Sequence, residues 1–139
     1  MITSKLILDT FDLIFDGLKS KDLLQKQIQH LNIERTHHTG TGLFVNFQHT
    51  ENIFAYKSEY ENPSTVLVNG DLNETIDGVE LKNDDLDILA DISVNLKNGI
   101  IDYFEIFVKN GNNYPETEPE NYEIYQAWLD KSKRRTITR

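Results

Sequence analysis

The sequence predicts an α+β fold, an N-terminal helical hairpin packed on a mainly antiparallel β-sheet. Three observations carry the prediction. Apolar residues recur at helical spacing through about residue 31, and from there on they come in short alternating runs broken by Gly, Asn and Pro. Helices first and strands afterwards is the α+β order. The third observation is the stretch 89–109, LADISVNLKNGIIDYFEIFVK, which reads as a central β-hairpin. Its Asn98-Gly99 is the dipeptide a two-residue type I′ turn prefers, since both central residues need positive φ.

Taken in order, residues 4–17 read as a first helix. Thr3 or Ser4 can cap it, Leu6, Ile7, Phe11, Ile14, Phe15 and Leu18 share a face, and Gly17 suits its end, although 5–9 also fits a strand. Ser20 opens a second helix over 21–31, with Asp22 in its first turn and Leu24, Ile28 and Leu31 as its buried stripe. Residues 33–36 read as a short strand. His37-His38-Thr39-Gly40-Thr41-Gly42 then makes a glycine-enabled bend into a strand over 43–48. The patch 53–56 fits a short strand or a packed loop, and 59–64, with Pro63, reads as a loop. Residues 66–68 form a strand ended or turned by Asn69-Gly70. Leu72 and Ile76 belong to a further strand, which 79–81 could continue. Beyond the central hairpin, Asn110 to Asn113 is a turn, and Pro115, Pro119, Glu116, Glu118 and Glu120 make an extended acidic loop. Residues 122–129 fit a strand or a short helix.

A two-residue turn sets the hairpin's register. It pairs Leu96 with Ile101, Val94 with Tyr103, Ile92 with Glu105 and Ala90 with Phe107 on one face. That register puts Glu105 among apolar partners, where a carboxylate needs donors or a raised pKa.

A chain of 139 residues with 38% apolar and 27% charged side chains is expected to fold as one soluble domain, 1–130. No apolar run approaches the length of a membrane span, and the N-terminus lacks the charged region of a signal peptide, so a cytoplasmic location is expected. With zero cysteines, disulfides, thiol catalysis and Cys-ligated metals are excluded. The net charge of −9 is uneven. Lys131, Lys133, Arg134, Arg135 and Arg139 make 131–139 a basic tail, expected to be flexible; taking those five positive charges from −9 leaves −14 for residues 1–130. An acidic body disfavours nucleic acid as a partner and favours a basic protein.

Motifs for chemistry are weak. Adjacent His37 and His38, with His49, lack the spacing of a metal site. Gly40 and Gly42 lack the third glycine and the following helix of a phosphate loop. The run 71–87 does not fit a calcium loop, and no nucleophile motif occurs. The chain is therefore expected not to be an enzyme, and no catalytic residue, metal or cofactor is assigned. The residues expected to meet a partner are Asp71, Glu74, Asp77, Glu80, Asp84, Asp85 and Asp87 in the acidic run, and Tyr114, Glu116, Glu118, Glu120 and Tyr122 in the later loop. Rings among acids, including Tyr56, Tyr60, Tyr125 and Trp128, suit a surface for Lys and Arg.

Two segments carry a resemblance. Thr39-Gly40-Thr41-Gly42-Leu43-Phe44 resembles a T-G-x-G-F-F element, with Leu43 where Phe is usual. Asn98 to Glu105 resembles a D-G-x-I-x-x-L-E element, with Asn98 in place of Asp and Phe104 in place of Leu. Together they resemble a family of small acidic bacterial proteins of mostly unassigned function, and such proteins are similar to the immunity proteins of contact-dependent inhibition and other polymorphic toxin systems. The resemblance implies a protein that binds a cognate basic toxin domain, often a nuclease, and blocks its active site or its substrate surface; a monomer or weak homodimer is expected. The alternative is a small ligand-binding domain or enzyme that uses Glu105 with the His37/His38 loop.

Overall fold

The computed structural model describes residues 1–59 and 66–139; the loop expected around Pro63 and the ring of Tyr60 lie outside the described residues. The fold is α+β. Helix α1, Lys5–Ile14, starts where the Ser4 hydroxyl accepts the Ile7 N–H at 3.1 Å, three residues shorter at its far end than its apolar spacing predicts. Helix α2, Lys21–Gln27, runs into a 3₁₀ turn, Ile28–His30. Eight strands follow among the described residues: β1 Leu31–His38, β2 Gly42–His49, β3 Val66–Val68, β4 Asp71–Asn83, β5 Ile88–Lys97, β6 Ile100–Val108, β7 Glu123–Gln126 and β8 Thr136–Thr138. The patch expected as a strand or loop at 53–56 is part of a 3₁₀ segment, Glu51–Tyr56.

All strand pairs are antiparallel, in the order β1-β2-β6-β5-β4-β7-β8, with β3 beside the start of β4. Both helices and the inward side chains of the strands share one core, in which Phe11, Phe15, Leu24, Leu81, Ile92 and Phe104 are fully buried. The T-G-x-G segment works as a dock. Val108 and Tyr114 donate backbone N–H groups to the carbonyls of Thr41 and Gly40, and Gly42 lies so close to β6 that a Cβ there would fall 2.0 Å from the Ile106 oxygen.

The hairpin turn forms as predicted, with Asn98 at φ 52° and Gly99 at φ 80°. Its register does not hold. Leu96 faces Ile101, but Asn95 then faces Tyr103, leaving Asp102 as an extra residue on β6. Beyond this bulge Val94 pairs with Phe104, Ile92 with Ile106 and Ala90 with Val108. The expected pairing of Ile92 with Glu105 is thus corrected: Glu105 faces Ser93 on the opposite face, away from the core. A single added residue inverts every side chain beyond it, because strand side chains alternate with period two.

The basic tail, expected to be flexible, is built into the sheet. Strand β8 pairs with β7, and Arg139 bonds the buried Asp9 through both Nε (2.9 Å) and Nη2 (2.8 Å). Arg135 bridges Asp12 (3.0 Å) and Asp16 (2.9 Å), so the tail supplies counter-ions to α1. Arg139 holds the Asp9 carboxyl below its usual range, with Tyr122 adding a second bond and burial opposing both. Burial raises Asp16, but bonds from Lys21, Arg135 and Gln126 outweigh it and leave that carboxyl low as well.

Two predictions follow from this packing. The side chain of Gln27, fully buried, donates to the carbonyls of Tyr56 (2.8 Å) and Gly99 (2.9 Å) and accepts from the Ile101 N–H (2.9 Å). Gln27→Leu removes all three bonds and strands that N–H; urea unfolding is expected to show a loss of about 2–3 kcal/mol. Carboxylates held low only in the fold stabilise it above their unfolded-state pKa, and that contribution is lost as pH falls through the folded value. Unfolding free energy measured by circular dichroism should therefore drop below about pH 4. Arg139→Gln should flatten that drop and leave the pH dependence above it unchanged.

Candidate protein-binding face

The helices cover one face of the sheet; among the described residues the other carries no helix. Its composition follows from the corrected register. Phe44 of β2 pairs with Glu105 of β6, and Glu105 with Ser93 of β5. The next row is Asn46, Tyr103, Asn95 and Thr75, and the row on the other side is Gly42, Phe107, Asp91, Glu80 and Tyr125. Seven strands side by side make this face roughly 30 Å wide.

A second bulge shapes the middle of it. Asp77 and Gly78 of β4 together oppose Ser93, in the gap between the part of β4 that pairs with β3 and the part that pairs with β7. Gly78 has φ 103°, and its carbonyl accepts the Ala127 N–H at 2.7 Å. Trp128 lies directly over it: a Cβ at position 78 would fall 2.6 Å from the indole ring. The result is a depression of about 510 Å³ lined by Thr75, Asp77, Ser93, Glu105, Phe107 and Trp128, among others. Phe107 is 51% exposed and Trp128 42%. Phe44 and Tyr103 stack at a tilt, 5.9 Å between ring centres, at the other side of Glu105.

The charges on this face are of two kinds. Lys109 pairs with both Glu80 and Asp91. Burial raises Glu80, but the bonds from Lys109 and Tyr125 prevail and hold its carboxyl low. Glu105 and Asp77 have no hydrogen bond or ion pair among the described residues, and burial alone lifts the Glu105 carboxyl above its usual range. Tyr103 is raised by burial and then by the neighbouring Glu105. Near the hairpin turn, burial also raises Asp102 against the pull of Lys97.

The twelve residues expected at a partner surface are dispersed. Asp77 and Glu80 lie on the open face. Asp71 is tied to Lys97 (3.6 Å) and Asn98 (2.8 Å) beside the hairpin turn, and Glu74 points to the core side at 3% exposure. Asp84, Asp85 and Asp87 are exposed in the β4–β5 turn, at one end of the sheet. Tyr114 and Tyr122 are corrected from surface to interior: they are 6% and 4% exposed, and Tyr122 donates its hydroxyl to Asp9 at 2.6 Å. Glu116, Glu118 and Glu120 are exposed in the 115–120 loop, with Glu118 accepting from the Ser4 hydroxyl.

The rings of the open face, Phe44, Tyr103 and Phe107, were not among the residues the sequence singled out. The signal for Tyr103 and Phe107 was present: the strand after Asn98-Gly99 is apolar on both faces, although only one face can meet the helices. Glu105 and the histidine loop do not converge. His37 pairs with Phe44 and Phe44 with Glu105, which places the two groups two strands, roughly 10 Å, apart with a ring between them. No group of three or more His, Asp or Glu placed to hold a metal occurs among the described residues, and no helix is long and apolar enough to cross a membrane. No family model, curated protein or solved structure matches the chain.

The bulge predicts its own test. Gly78→Ala imposes a strained φ and displaces the Trp128 ring, at an expected cost of about 1–3 kcal/mol. Trp128 is the sole tryptophan, so its emission should shift to the red in the folded variant, reporting a ring released into water.

Proposed function

We propose that this protein is an immunity (antitoxin-like) protein, which binds a cognate cationic toxin domain and neutralises it by occluding the active site. The observation that carries the reading is the open sheet face: exposed rings beside carboxylates that have no ion pair among the described residues, on a chain of net charge −9. Large rings supply anchoring area and carboxylates supply complementarity to Lys and Arg, the usual division of labour at an interface. A nuclease is the favoured class of toxin, because its phosphate-binding surface is basic and carboxylates can imitate phosphates there. A toxin acting on nucleic acid inside the cell places the inhibitor in the cytoplasm. The protein acts as a monomer or weak homodimer, without cofactor or catalysis.

The enzyme reading ranks second, since the open face sets Glu105 against Ser93 and Phe44, with His37 one strand further away. The exposed Asp84, Asp85 and Asp87 belong to the rim in this proposal, where charges act mainly on the rate of encounter.

The test is capture from the native strain at low and then high salt, followed by expression of any captured basic protein alone and together with this chain. The expected outcome is a protein that stops growth alone and is harmless when co-expressed, with protection lost in a Phe107→Ser, Trp128→Ala double variant. Asp84, Asp85 and Asp87 all changed to Asn should slow association several-fold and keep protection. Absence of any neutralised toxic partner, or full protection by the double variant, would overturn the reading.

A further inference from the structure

We infer that the depression between β4, β5, β6 and Trp128 seats one arginine side chain of the partner, its guanidinium held between the rings of Phe107 and Trp128 and its charge met by Glu105 and Asp77. The inference rests on the proposed inhibitor function and specifies its anchor.

Four features of the face lead to it. The depression is open to solvent on the uncovered side of the sheet and has two exposed rings on its walls. Of its three carboxylates, Asp91 is paired with Lys109, which Glu80 also holds, while Glu105 and Asp77 lack ion pairs among the described residues. Burial works against the charge of Glu105, so an arriving cation recovers energy that the free protein lacks. The fourth feature is an arrangement of the same kind a few residues along: the guanidinium of Arg134 lies 4.1 Å from the centre of the Tyr125 ring, whose cross-strand neighbour is Glu80. The chain thus already packs one of its own guanidinium groups on a ring that neighbours a carboxylate.

Arginine fits better than lysine. The planar guanidinium stacks on rings and forks onto carboxylates, and it sheds water more easily than an ammonium. Gly78 is what makes room, since a side chain at that position would drive the indole off the bulge and alter the depression's wall.

The experiment titrates the full chain, labelled with ¹⁵N, with N-acetyl-arginine methylamide. N-acetyl-citrulline methylamide, of the same shape without charge, and N-acetyl-lysine methylamide serve as comparisons. The single indole N–H of Trp128 gives one resolved signal. Saturable shifts at that signal and at the amides of Ser93 and Glu105 are expected with the arginine probe, weaker ones with lysine and none with citrulline. Glu105→Gln should weaken the arginine probe about fivefold, the scale of one exposed charge pair. An equal response to citrulline, no saturable shift at Trp128, or unchanged affinity in Glu105→Gln would overturn the seat. Failure of the seat together with toxin neutralisation would leave the inhibitor reading standing on a different anchor. A seat for arginine without any neutralised toxin would remove the inhibitor reading and keep the site.

Discussion

A buried primary amide must find partners for its donors and its acceptor, and Gln27 finds them on the central hairpin. Its bonds to Gly99 and Ile101 fasten the end of α2 to the turn of β5 and β6, while its bond to Tyr56 adds the 3₁₀ segment. The Gly99 carbonyl also accepts from the N–H and hydroxyl of Ser58, and Asn98 exchanges hydrogen bonds with Leu72 through its backbone and side chain. The turn is therefore fixed from the helix side, from the loop at 57–58 and from β4 at once. A Cβ at Gly99 would fall 2.4 Å from the Ser58 oxygen, so the closeness of this packing depends on glycine as much as the turn itself does. Fixing the turn fixes the register of the two longest inner pairings, and with it which residues face the helices.

The bulge at Asp102 follows from that constraint. The turn demands Leu96 opposite Ile101, whereas the core demands Phe104, Ile106 and Val108 toward the helices. Strict alternation from Ile101 would turn Tyr103, Glu105 and Phe107 inward. Placing Glu105 in the core would cost several kcal/mol without a partner, far more than one extra residue in a ladder. The bulge reconciles turn and core, and its consequence is the composition of the open face.

This is also the measure of what could be read in the sequence. The turn, the two helices, the strands at 43–48 and 66–68 and the α+β class follow from local signals: dipeptides with positive φ, apolar spacing and caps. The register of the hairpin did not follow, because a bulge leaves no local mark; Asp102 resembles any polar residue of an alternating strand. The acidic run at 71–87 looked like one surface because it is continuous in sequence. Strand β4 sends Glu74 inward and Asp77 and Glu80 outward, and only the turn 84–87 remains wholly exposed. Tyr114 and Tyr122, read as surface rings by their acidic neighbours, are buried by long-range contacts with the T-G-x-G turn and with Asp9.

Charge balance separates structural acids from available ones. Asp9 and Asp12 of α1 and Asp16 of the turn after it meet Arg139 and Arg135, so the apparent division into an acidic body and a basic tail cancels there. Lys109 likewise neutralises Glu80 and Asp91. Arg139 and Lys109 hold the Asp9 and Glu80 carboxyls low, while Glu105, with no ion pair among the described residues, is pushed the other way by burial. Net charge alone could not distinguish these groups. The distinction comes from the fold, which spends its arginines on holding the C-terminal strand to α1 and leaves Glu105 and Asp77 beside exposed rings. Carboxylates so placed are poor stabilisers of the free protein and good complements to a cation brought from outside.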